Sequence, residues 1–177
     1  MVRIVAVLAM LSVPVVSYAG VFAVDSRFTS GGVVYERYTN ERFGFQLDYP
    51  VDVLRPQPPS ETGDGRTFLS DDGVVQLLAW GANLVSGVDG EPGTPTVRDW
   101  YEAELAAAAS PTYFVLRENE GWFVISGVAD GDIYYRKSIA APDGCGFLTF
   151  VLRYPASRAD TFDPVATVVS HSFACER

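Results

Sequence analysis

Histidine and lysine occur once each, as His171 and Lys137, and cysteine twice, as Cys145 and Cys175. A single histidine excludes every multi-histidine metal motif. Two cysteines are too few for a Cys-rich zinc site or a disulfide-built miniprotein. Runs of positive charge are also missing. Thirteen cations, all arginine except Lys137, face 22 carboxylates and leave a net charge of −9. Nucleic acid is excluded as a partner, because neutralising phosphates needs clustered cations. The chain has no G-x-S-x-G elbow, no P-loop and no G-x-G-x-x-G. What is present is 177 residues, 48 % of them hydrophobic. That length suits one domain with its own core, and that composition excludes disorder.

One long apolar run stands at the N-terminus. Arg3 precedes an uncharged stretch over 4–24, and Ser17-Tyr18-Ala19 fits the small-x-small rule for signal-peptide cleavage. Two readings follow: a signal peptide over 1–19, or an uncleaved anchor over 4–24, which is long enough to span a bilayer. Either delivers the domain across a membrane, so the sequence predicts a periplasmic or secreted protein. It touches the membrane only if the anchor is retained. In that oxidising setting Cys145 and Cys175 read as a disulfide closing a loop of about 30 residues, worth roughly 3–4 kcal/mol on loop entropy. Two buried thiols are the alternative.

Residues 20–37 read as a polar, glycine-containing, flexible lead-in, and 38–177 as the single domain. The first clear strand is 43–49, where Phe43, Phe45, Leu47 and Tyr49 alternate with smaller or polar residues and Pro50 stops the run. A proline-rich loop follows to residue 65. Strands over 66–69 and 74–80 then flank Asp71-Asp72-Gly73, a tight-turn sequence. Thr96 caps a helix running to about residue 109, with Asp99 in its first turn. Four strands at 113–117, 122–129, 133–140 and 146–154 are joined by short turns, as in an antiparallel meander. A last helix covers about 157–173, either kinked or restarted at Asp163-Pro164. The order βββ-α-ββββ-α predicts an α+β fold, an antiparallel sheet of about six to seven strands between two helices.

The first strand reads Asn40-x-x-Phe43-Gly44-Phe45-x-x-x-Tyr49-Pro50. With this element order, it resembles the PsbP-like, Mog-type superfamily. The proline loop running into Gly63-Asp64-Gly65-Arg66 resembles small exported bacterial members. The resemblance implies an α/β/α sandwich and non-enzymatic accessory or binding roles. It implies no catalytic set and no cofactor.

Candidate chemistry is sparse. Ser172 follows His171 in a predicted helix, so the two side chains diverge by about 100° and cannot form a nucleophile–base pair. His171 reads instead as a helix-end histidine favoured by the C-terminal dipole. Carboxylates at Asp64, Asp71, Asp72, Asp89, Glu91, Asp130 and Asp132 admit a hydrolase or a calcium-binding envelope protein as alternatives. The calcium pattern D-x-[DN]-x-[DN]-G is absent, however, and Asp71-Asp72-Gly73 equally makes a turn. The loop over 55–66 is long and polar, so Arg55, Gln57, Glu61, Asp64 and Arg66 are the candidate binding residues. Their expected partner is a protein or small ligand of the cell envelope.

Overall fold

The structure is a computed structural model and describes residues 27–83, 95–141 and 146–175. The chain runs β1 (Phe28–Ser30), β2 (Val33–Asn40), β3 (Phe45–Pro50), β4 (Leu54–Pro56), β5 (Gly65–Ser70) and β6 (Gln76–Asn83), then α1 (Val97–Ala107). It continues through β7 (Pro111–Arg117), β8 (Trp122–Ala129), β9 (Asp132–Ala140), β10 (Gly146–Pro155), α2 (Ala159–Ser172) and β11 (Ala174–Cys175). All pairings are antiparallel. Seven strands form one sheet in the order β4-β5-β6-β10-β9-β8-β7, and four form another in the order β1-β2-β3-β11. The α+β reading with two helices therefore holds.

Register assigns the two faces of the large sheet. Residues paired across an antiparallel ladder point to the same side. Leu77, Ala79, Leu148, Phe150 and Leu152 thus share one face with Phe68, and all are fully buried. The four-stranded sheet and α2 cover that face. Phe45 meets Phe173 edge-on with ring centroids 5.8 Å apart, and Tyr49 lies 4.5 Å from Phe68. Each fully buried Phe or Leu here contributes about 1.5–3 kcal/mol. The opposite face carries Phe123, Ile125 and Phe147 beneath α1, where Trp100 packs on Phe147 and Tyr101 on Phe123. Between Phe123 and Phe147, Ser138 and Thr149 hydrogen-bond each other at 2.9 Å, so neither buried hydroxyl lacks a partner.

Local chemistry places the helices where the sequence predicts. Thr96 Oγ1 accepts from the Asp99 amide at 3.2 Å and the Asp99 carboxylate accepts from the Thr96 amide at 2.8 Å, a complete capping box. Helix α2 runs continuously through Pro164. Asp163 does not cap a second helix. It accepts the Tyr154 hydroxyl at 2.7 Å instead.

The lead-in over 20–37 needs correction. Its described part is a β-hairpin: β1 and β2 pair across Gly31-Gly32, whose φ angles of 57° and 79° are both left-handed. That is the type I′ geometry that matches strand twist and favours paired glycines. Tyr35, at 1 % exposure, belongs to the core. The sequence places Val33 and Val34 side by side, so no clean alternation announces the strand.

The 1–26 segment, residues 84–94 and Cys145 lie outside the described residues, and with them the signal or anchor reading, Asp89, Glu91 and the proposed disulfide. Among the described residues, no helix is long and apolar enough to cross a membrane.

Candidate binding loop

Between β4 and β5 the chain leaves the sheet for eight residues, and its own polar groups fix its path. Gln57 continues the ladder by donating its amide to Thr67 O at 2.8 Å. Gly63 turns the chain at φ 73°, its amide donating to Ser60 O at 3.0 Å. Arg66 Nε reaches back to Gln57 O at 2.8 Å, and Thr62 Oγ1 donates to Asp64 Oδ2 at 2.7 Å.

The loop is also tied from outside by the β2–β3 turn. Asn40, 5 % exposed, accepts the Phe43 amide on Oδ1 at 2.9 Å and donates from Nδ2 to Gly63 O at 3.0 Å and Tyr38 Oη at 3.2 Å. Arg42 forms an ion pair with Asp64 Oδ1 at 2.6 Å and donates to the Thr62 carbonyl. Asp64 Oδ1 is shielded from solvent, and the guanidinium is what balances its charge. Phe43 then lies over Gly81, where an added Cβ would stand 2.2 Å from the ring. The Asn-x-x-Phe-Gly-Phe string is thus a fastening. It caps its own turn, clamps the loop and sends Phe45 into the core.

Beside the loop lies an open cleft of about 230 Å³, lined by Pro58, Ser60, Asp64, Arg66, Leu78 and Trp80 among others. Gly65 is required at its base, because a Cβ there would meet Ala79 O at 2.2 Å and Trp80 Cβ at 2.6 Å. The Trp80 ring has the Arg136 guanidinium 5.7 Å from its centroid, and Arg136 is in turn ion-paired with Glu104 at 2.5 Å. Burial lowers the Arg136 pKa, and Glu104 opposes that shift.

The five candidate residues do not form one constellation. Asp64 and Arg66 line the cleft. Gln57 lends its carbonyl to Arg66, and its side chain donates to Arg55 O at 3.1 Å. Arg55 turns away toward Val51 O at 2.8 Å and Asp71 at 3.4 Å. Glu61 is exposed at the tip. Sequence reading did not place Asn40, Arg42 or Trp80 among the candidate loop residues. An Asn three residues before a Phe, where its side chain can take the i+3 amide, was the available signal for the first.

Asp72 and Ser172 are engaged structurally. Asp72 accepts from Ser70 Oγ at 2.5 Å, Val74 N at 3.1 Å and Arg158 at 2.8 Å. These bonds, the Ser70 one foremost, hold its carboxyl well below the usual range. Ser172 Oγ takes the Asp48 amide at 2.8 Å and donates to Val169 O, while His171 is exposed at the end of α2. Among the described residues, no group of three or more His, Cys, Asp or Glu side chains is placed to hold a metal ion.

Two packed sheets with a helix on each side of the larger one define a PsbP-like, Mog-type architecture, and the solved structures similar to this chain have it. Cyanobacterial PsbP (CyanoP) from Synechocystis sp. PCC 6803 superposes with a TM-score of 0.58 at 14 % identity, covering 90 % of this chain and 98 % of that one. The Ran-binding protein Mog1p of Saccharomyces cerevisiae superposes with a TM-score of 0.51 at 8 % identity, covering 81 % and 96 %. No protein-family profile and no curated protein sequence matches the chain.

Proposed function

We propose that this chain is an exported, non-enzymatic accessory domain that binds a protein of the cell envelope through the 55–66 loop. The observation that carries the proposal is the preformed cleft. Its loop is held by Asn40, Arg42 and Arg66 before any partner arrives, so little ordering cost falls on binding. Asp64 and Arg66, with Trp80 and Leu78, give the cleft a charged rim around an apolar base, the usual anatomy of a contact surface, and Glu61 stands exposed at the loop's tip beside it. A Ran-binding protein with this fold supports a protein as the partner. The engagement of Ser172 and Asp72 in structural hydrogen bonds supports a role without turnover.

Export rests on the 1–19 signal pattern, or on a retained anchor over 4–24. It also permits the Cys145–Cys175 disulfide, which would fasten β11 and so the edge of the four-stranded sheet. Alkylation with and without reductant distinguishes the cases: two adducts only after reduction support the bridge, and two adducts without reductant refute it.

The binding test is capture from a cell-envelope extract, with wild type beside Asp64→Ala/Arg66→Ala and the surface variant Glu61→Lys. A partner held by wild type and weakened by both variants, with the melting of Glu61→Lys unchanged, supports the reading. A wild type that captures nothing, or a partner retained equally by all three, overturns it.

A further inference from the structure

The two edges of the seven-stranded sheet are built differently. On one side β4 has three residues, and Pro56, Pro58 and Pro59 remove amide donors from it and its extension. That is how natural sheets block strand addition. On the other side β7 has seven residues, with proline only at its first position and a register irregularity between Pro111 and Tyr113 that leaves 113–117 as its regular ladder. Among the described residues, no strand pairs with its outer edge.

This open edge is also where exposed apolar side chains gather. Tyr113, Phe114 and Val128 are 55 %, 51 % and 41 % exposed. Register puts Tyr113, Val115 and Val128 on the α2 side and Phe114 and Leu116 on the α1 side, so both faces of the edge are apolar. A cleft of about 340 Å³ continues the α2 side inward, past Ile133 and Tyr135 to Tyr154.

We propose that β7 is a self-association edge, on which two copies of this chain pair antiparallel about a two-fold axis through Phe114. Charge favours this occupant. Residues 111–116 carry no charge in a chain whose net charge is −9, so self-pairing opposes no like charges along the strand. Arg117 lies three residues beyond Phe114 in the regular 113–117 stretch, so the two guanidinium-bearing positions fall on opposite sides of the axis, about 20 Å apart along the strands. Phe114 meets the partner's Phe114 across the axis, and Tyr113 meets the partner's Val115, both favourable cross-strand pairs. Closure favours it too. Within the seven-stranded sheet the β4 edge is blocked by proline, and the edge strands of the four-stranded sheet, β1 and β11, are only three and two residues long, so an isologous β7 pair stops at two. The inference is independent of the 55–66 loop and its partner.

Sedimentation velocity of the expressed full chain, from about 1 to about 100 μM, tests it over the range where modest interfaces assemble. Wild type is expected to dimerise, and Phe114→Glu to raise the dissociation constant roughly tenfold or more by setting two carboxylates face to face. Val74→Glu, at an exposed apolar site away from the edge, should leave the dimer intact. An equimolar mixture of Phe114→Glu and Phe114→Lys should recover a heterodimer. That recovery separates β7 pairing from association through the 4–24 segment. A monomer throughout, a dimer indifferent to Phe114→Glu, or a mixture no better associated than its components would overturn the proposal.

Discussion

Replacing Asn40 with alanine tests whether a buried amide, rather than the loop's own sequence, fixes the cleft beside the 55–66 loop. The substitution removes the bonds to Phe43 N at 2.9 Å, Gly63 O at 3.0 Å and Tyr38 Oη at 3.2 Å. Each is worth about 1 kcal/mol net, and a buried group stranded by the loss adds about 1–3 kcal/mol where water cannot reach it. A total of about 3–6 kcal/mol is expected, a fall in Tm of roughly 6–24 °C for a domain of this length. Urea denaturation and thermal melts by circular dichroism measure it. Glu61→Ala, at the exposed tip, should stay within about 0.5 kcal/mol of wild type. Asn40→Asp adds a discriminating arm: it keeps an acceptor for Phe43 N but turns a carboxylate toward the Gly63 carbonyl. Its deficit should therefore be large at neutral pH and shrink in acid, where protonation restores a donor. An Asn40→Ala protein within about 0.5 kcal/mol of wild type would refute the fastening.

Gly81→Ala places a Cβ 2.2 Å from the Phe43 ring and should cost about 1–3 kcal/mol by overpacking, with Phe43→Leu partly relieving it in the double variant. Asp72 is held below its unfolded value by Ser70, Arg158 and Val74, so its contribution is full above the unfolded pKa of about 4 and is lost as pH falls through the lower folded value. Asp72→Asn should accordingly lower Tm at pH 7, with the gap closing at strongly acid pH; a gap unchanged by acid would contradict this. Burial, and then the Asp163 carboxylate, raise the Tyr154 pKa, so its contribution is full below about pH 10 and falls as pH rises toward the higher folded value. Tyr154→Phe should be less stable than wild type at pH 7, through loss of the 2.7 Å bond to Asp163, and lose less stability above pH 10 in alkaline melts.

Most of the larger sheet was legible because its strands sit between unmistakable turns. Asp71-Asp72-Gly73, Asp130-Gly131 and Pro155 mark strand ends at β5, β8 and β10, and Thr96 with Asp99 marks the start of α1. The four-stranded sheet was not, apart from β3. Strand β2 begins with adjacent valines, β11 is two residues long, and the Gly31-Gly32 turn reads as looseness unless both glycines are known to need positive φ. The loop's existence was visible in its length and prolines, but the contacts that hold it were not. Asn40 and Gly63 are 23 residues apart in sequence, and only the fold brings them within hydrogen-bond reach. Conversely, acidic residues that looked available for catalysis or calcium prove to be partners of Ser70, Arg158, Arg42 and Arg55.

The most direct test of the central claim is photo-crosslinking in the cell envelope, with benzoylphenylalanine placed at Glu61 and, as a second site, at Val74. Both positions are exposed, but only Glu61 belongs to the 55–66 loop. A single adduct of defined mass from position 61, absent at 74 and lost when Asn40→Ala is added, is the predicted result. Adducts at neither position, or at 74 alone, would contradict a partner-binding loop.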